Sequence, residues 1–158
     1  MSSTEWETPQ AFFDTLNAEF GFTIDACASE ANTKCERFYS AHHDGLDRDW
    51  SDEVVWMNPP YDKAVRLWVR KAYREAIKGA TVVCLLQARS SDSEWWHQCI
   101  MKAAEWRFVR DRLHFSRPDG RSSRANLSSL LVIFRPGHEG PPVVSGISTT
   151  GEPVVVVV

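Results

Sequence analysis

Polar and apolar positions alternate along this chain in two rhythms. Phe12, Leu16 and Phe20 recur every fourth residue, which predicts a helix. Thr8 is placed to cap it, Pro9 occupies its first turn, and Gly21 supplies the stop. Phe22-Thr23-Ile24-Asp25-Ala26 then reads as a short strand ending on an acidic residue, and Val54–Met57 as a second strand. Val65, Trp68, Val69, Ala72 and Ala76 lay an apolar stripe along a helix that Gly79 terminates. The unbroken run Thr81–Leu86 predicts a buried parallel strand. Ser91 with Glu94 resembles a capping box, opening a helix to about Ala104. Trp106–Val109 and Leu130–Phe134 are further strands, and the five C-terminal valines read as a terminal one. Strand and helix in alternation predict a doubly wound α/β sheet, whose ligands gather at the carboxyl ends of the strands.

Length and composition narrow the class. At 158 residues one compact domain is expected, with a catalytic core over about 5–135. The hydrophobic fraction of 43% and charged fraction of 25% are those of a soluble globular protein. No apolar stretch has membrane-spanning length, and the N-terminus lacks the pattern of a signal peptide. No membrane partner is therefore expected, and the cytoplasm is the expected compartment. Cys27, Cys35, Cys84 and Cys99 form no Cys-x-x-Cys pair, so reduced thiols are expected. A zinc site built from them with His42 and His43 is the weaker reading.

The net charge of −3 leaves any nucleic-acid contact to a local patch. Residues 107–124 supply one: Arg107, Arg110, Arg112, Arg117, Arg121 and Arg124 face only Asp111 and Asp119. Pro118-Asp119-Gly120 turns this basic segment into a loop suited to a groove, or into a solvated charged hairpin.

Chemistry concentrates where Val54–Met57 runs into Asn58-Pro59-Pro60-Tyr61. Two prolines fix φ and donate no backbone hydrogen bonds, so the Pro59 carbonyl is held as an acceptor beside the Asn58 side chain. Tyr61 adds a flat face for a ring. An exocyclic amine conjugated into a base is a poor nucleophile. Two acceptors aimed at its hydrogens draw the nitrogen towards tetrahedral geometry and free its lone pair. The turn thus points to methylation of an amine, with a stiff structural loop as the plain alternative. On the turn alone the acceptor stays open among adenine, cytosine N4, an RNA base and a protein glutamine. A non-catalytic DNA-binding protein with a degenerate methyltransferase fold is the other alternative.

Linked motifs carry a resemblance. Glu5-Trp6-x-Thr8-Pro9, Phe22–Ala28, Asn32-x-Lys34-Cys35, Asp44-Gly45-Leu46-x-x-x-Trp50 and Asn58–Tyr61 occur in that order. Trp68-Val69-x-Lys71-Ala72 and Leu85-Leu86-x-Ala88-Arg89 follow. Together they resemble the phage-type DNA N6-adenine methyltransferases, with the likeness running to about residue 134. The resemblance implies a Rossmann-like methyltransferase sheet, S-adenosylmethionine as donor, and adenine in double-stranded DNA as acceptor. It also implies a bacterial cell and a phage or prophage origin, with protection from restriction or regulation as the purpose.

It assigns Asn58, Pro59, Pro60 and Tyr61 to the target base, and Thr8, Pro9, Asp25, Ala26 and Cys27 to the cofactor, with Asp44 a further contact. Arg89, Arg112, Arg117, Arg121 and Arg124 are the candidate DNA contacts, and no metal is required. With no separate recognition domain expected, sequence preference would come from the basic loop or from a homodimer. Some positions depart from the family pattern. The loop after the first strand has no glycine, Gln87 stands where proline is usual, Asp111 replaces a glycine, and Ala125-Asn126-Leu127 replaces an Ala-Pro-Phe-like turn.

Overall fold

The computed structural model describes residues 6–40, 45–117 and 119–154. Its centre is a sheet of seven strands: β1 (Ile24–Ala28), β2 (Phe38–Ser40), β3 (Val54–Met57), β4 (Thr81–Gln87), β5 (Glu105–Val109), β8 (Ser129–Phe134) and β9 (Val143–Ile147). Strands β6 (His114–Ser116) and β7 (Ser122–Arg124) form a separate two-stranded hairpin. The spatial order is β2-β1-β3-β4-β8-β5-β9. Only β8 runs against its two neighbours; the other pairings are parallel. Helices α1 (Gln10–Phe20), α2 (Val65–Lys78) and α3 (Glu94–Gln98) complete the fold, a Rossmann-like α/β arrangement.

Alternation along the central strands sorts their side chains between two cores. Val82, Cys84 and Leu86 of β4 join Trp68, Val69 and Ala72 of α2 on one face. Val83 and Leu85 join Phe12, Phe13 and Leu16 of α1 on the other. Burial on both faces explains why β4 and β8 read as unbroken apolar runs. Gly21 ends α1 at φ 66°, its N–H donating to the Asn17 carbonyl. Gly79 follows α2 as expected.

Four expectations need correction. Thr81–Leu86 is parallel to β3 but antiparallel to β8, and an apolar run looks the same in either setting. The first strand begins at Ile24 rather than Phe22, because Phe22 stacks with Phe13 and Phe20 in the preceding turn. Asp25 therefore lies inside β1 and not at its end. The helix expected from Ser91 to Ala104 is short: Ser93 caps it, accepting from the Trp96 N–H, and a 3-10 turn at Ile100–Lys102 follows. The chain must leave the helix there, because Ala104 already exchanges backbone bonds with Ile133 and Val143. Fourth, Pro9 rather than Thr8 stands at the cap position of α1, without a side-chain cap. Of the five terminal valines expected to form a strand, the last four, 155–158, lie outside the described residues.

Candidate active site

Strand β3 ends on buried Met57 and delivers Asn58 to the carboxyl rim of the sheet, with Pro59 and Pro60 buried behind it. The Asn58 carboxamide is held at both ends. Its Nδ2 donates to the Thr8 Oγ1 at 3.2 Å, and its Oδ1 accepts from the Tyr61 hydroxyl at 2.7 Å. The Tyr61 hydroxyl also lies 3.2 Å from the Leu85 carbonyl on β4. Burial raises the Tyr61 phenol above its ordinary pKa, with Cys27 adding to the effect, so it stays a donor. The amide orientation follows: oxygen towards Tyr61, nitrogen towards Thr8.

Thr8 is where it is because the chain before α1 is strapped to the hairpin. The Glu7 N–H donates to the Ser116 carbonyl at 2.6 Å, and the Ser116 N–H returns a bond to the Glu7 carbonyl at 3.2 Å. This brings Trp6 and Phe115 together in the lining of a cavity of about 270 Å³, with Asn58, Tyr61, Arg124 and Leu127 also on its walls. Aromatic faces surround a polar amide in a space suited to one flat heterocycle. A narrower cleft of about 10 Å³ lies behind Asn58, bordered by Thr8, Asp25, Cys27 and Lys34.

Asp25 is almost fully enclosed there, its carboxylate accepting from the Cys27 N–H at 3.3 Å and the Lys34 N–H at 3.0 Å. Burial raises its pKa to about 6 against those two bonds. Burial also raises the Cys27 thiol and lowers Lys34. The four cysteines are free thiols, and no cluster of metal-ligating side chains occurs among the described residues.

The sequence matches the DNA N-6-adenine-methyltransferase (Dam) family over residues 2–152. The chain belongs to that family. It is 30% identical over 136 residues to the DNA N-6-adenine-methyltransferase of Haemophilus phage HP1, covering 83% of this chain and 78% of that protein. It is 35% identical over 102 residues to the protein of the same name from Escherichia phage T1. That match covers 63% of this chain and 42% of the phage T1 protein, so the chain corresponds to less than half of that relative's length.

Within this family member, the residues singled out from the sequence divide into groups. Asn58 and Tyr61 share the 270 Å³ cavity, and Asn58 joins Thr8, Asp25 and Cys27 at the narrow cleft. Pro9 and Ala26 flank that cleft along the chain, and Asp44 lies outside the described residues. The arginines separate. Arg112 donates to the Ala125 and Asn126 carbonyls, Arg117 packs on the Trp6 ring beside Asp119, and Arg121 pairs with Asp119 at 2.8 Å. These three spend their charge within the hairpin, Arg124 reaches the cavity wall, and exposed Arg89 lines a different cavity. Arg107, also in the basic run, binds Glu19 and Glu105 away from the rim. Phe115 joins the site without having been singled out, and Lys34, quoted only within the Asn32-x-Lys34-Cys35 motif, without having been given a role. The signal for Phe115 was the alternation of Leu113 and Phe115 inside a charged stretch, both buried on the α1 face.

Proposed function

We infer that this chain methylates the N6 amino group of adenine in DNA, with S-adenosylmethionine as the donor. The observation that carries this reading is the Asn58 carboxamide, fixed by Thr8 and Tyr61 at the mouth of an aromatic cavity. Membership of the adenine-specific family selects adenine among the amines that such a turn serves.

An adenine in a duplex is stacked, so it is extruded before it reaches the cavity. Trp6, Tyr61 and Phe115 offer the flat faces that replace its lost stacking. The second lone pair of the Asn58 oxygen and the Pro59 carbonyl accept from the amino hydrogens, which raises the nucleophilicity of N6. Proximity and alignment do the rest, and no covalent bond to the enzyme is needed. The proton leaves to water after transfer.

The donor, when bound, supplies a methyl group on a sulfonium, already electrophilic. The polar groups bordering the narrow cleft, the Asp25 carboxylate, the Lys34 ammonium and the Thr8 hydroxyl, mark the edge towards which the amino-acid head of that molecule would lie. The cleft itself, at about 10 Å³, has room for one water, so the head would rest at its rim. Pro9, Ala26 and Cys27 shape this edge in our reading, with Asp44 as a further contact. Arg89 and Arg124 face the DNA, while Arg112, Arg117 and Arg121 set the form of the hairpin that approaches it.

Transfer of labelled methyl from S-adenosylmethionine to unmethylated duplex DNA, followed by nucleoside analysis, tests the reading. Label in N6-methyladenosine is expected. Label in cytosine, in RNA alone, or nowhere overturns it. Asn58→Ala should lower kcat by at least about a thousandfold while donor affinity changes little.

A further inference from the structure

We propose that the cavity on the far side of Tyr61 holds the DNA strand at the nucleotide beside the extruded adenine. This rests on the reading above. The cavity, about 400 Å³, is lined by Tyr61, Lys63, Arg66, Arg89, Ser90 and Trp95. It therefore shares the Tyr61 ring with the cavity assigned to the base.

Its charge is uncommitted. Lys63, Arg66 and Arg89 are exposed, and none of their side chains makes an ion pair or hydrogen bond among the described residues. Arg37, Arg107, Arg121 and Arg135, by contrast, each have a carboxylate partner. The one carboxylate in the cavity wall, Asp62, is engaged by the Ala64 N–H at 2.8 Å at the start of α2. Three unpaired cations around one hollow, in a chain of net charge −3, form a local site for an anion of extended shape.

The backbone supports the same reading. Ser90 adopts φ 71°, in the left-handed region that non-glycine residues seldom enter. Its carbonyl receives the Ser93 hydroxyl at 2.6 Å and the Ser93 N–H at 3.0 Å, which locks the turn between β4 and α3. That turn presents Arg89 on one side and half-buried Trp95 on the other. Phosphates have their partners in Lys63, Arg66 and Arg89, and Trp95 offers a face for an unstacked base. Arg112, Arg117 and Arg121 are engaged by carbonyls, a ring and Asp119, so this cavity adds phosphate contacts to the one that Arg124 offers at the rim.

The test compares the full chain with Lys63→Ala/Arg66→Ala/Arg89→Ala. Methyl transfer is measured against the concentration of one unmethylated duplex over a range of salt. The triple variant should raise KM for DNA at least about tenfold and flatten its log–log salt dependence by about two to three. Its kcat at saturating DNA should stay within about twofold of the parent. Charge-retaining Lys63→Arg/Arg66→Lys/Arg89→Lys should recover most of the affinity. Arg74→Ala, an exposed cation further along α2, should change neither slope nor KM.

An unchanged KM and salt slope in the triple variant overturns the proposal. So does a loss confined to kcat, or a loss of S-adenosylmethionine affinity, which would make the cavity part of the donor site. Failure of the parent chain to methylate adenine sinks the functional reading instead, and is seen before any variant is made.

Discussion

A primary amide has two ends of similar size and opposite hydrogen-bonding character, so an asparagine that must present oxygen needs something to hold its nitrogen. Thr8 does this for Asn58 across 50 residues of sequence. Thr8→Val keeps the shape and removes the acceptor, so the amide is free to turn. One neutral hydrogen bond, at about 1 kcal/mol, predicts a fall in kcat of about five- to tenfold, with Thr8→Ser recovering most of it. Single-turnover methyl transfer measures this. A loss in the Ser variant as large as in the Val variant would show that restoring the hydroxyl restores nothing, and so that the bond to Asn58 does not set the rate. Asp25 makes a second prediction at this scale. Its folded pKa of about 6 lies above an unfolded value of about 4, so the folded state binds the proton more tightly between them. Stability from this group is present at low pH and is lost as pH rises towards 6. In a titration of urea unfolding, the parent should lose about 2 kcal/mol between about pH 4 and 6 relative to Asp25→Asn. A difference that is flat over that range would mean that Asp25 ionises freely.

The elements around the site depend on close approach, and there composition misleads. Gly45 is not a flexible hinge. A Cβ placed on it would lie 2.3 Å from the Ala26 carbonyl oxygen and 2.7 Å from the Trp68 ring, so the 3-10 turn at Gly45–Asp47 is pressed against β1 and α2. The Gly45 carbonyl also receives the Trp50 indole N–H at 3.0 Å. Gly45→Ala should therefore destabilise the fold by about 1–3 kcal/mol through overpacking. A lower Tm is expected, with donor affinity falling only as β1 shifts; an unchanged Tm would show that the turn can move away. From the sequence, Asp44 is assigned to the cofactor and Gly45 to no packing role, because the pressing atoms come from β1 and α2, distant along the chain.

The same reasoning separates what was legible from what was not. Helices α1 and α2 and strands β3, β4 and β8 announce themselves by spacing or by unbroken apolar runs. Strand β2 has three half-buried residues, β7 has three exposed ones, and in β9 Val143, Val144 and Ser145 are all exposed, so none shows a buried period. The Asn58–Tyr61 turn was legible because its chemistry is local. Thr8 was misread as a helix cap because its true partner is 50 residues away. The basic run showed charge but not pairing, since Asp119 and the carbonyls that absorb Arg121 and Arg112 are fixed by the fold of the hairpin.

At the scale of the whole molecule the site is assembled from parts of unequal stability. Strands β3, β4 and β8 lie at the centre of the sheet, buried on both faces. Among the described residues, the β6–β7 hairpin pairs with itself and with the bridge to Glu7, and a two-stranded ribbon is marginal alone. Asn58 is thus rigid, while the Trp6 and Phe115 walls of its cavity belong to a unit that can open. Because Glu7 and Ser116 bond each other twice, the N-terminal segment and the hairpin should open together. Hydrogen exchange should give the Glu7 and Ser116 amides a common rate, far faster than those of Leu131, Val132 and Ile133. Trp6→Ala removes the ring under Arg117, a contact worth about 1 kcal/mol, and should speed both amides severalfold without changing β8. On the mechanism proposed above, in which extruded adenine fills this cavity, bound duplex should slow both together. Independent rates for Glu7 and Ser116, or protection of one without the other, would show two separate flaps in place of a single wall that closes on the base.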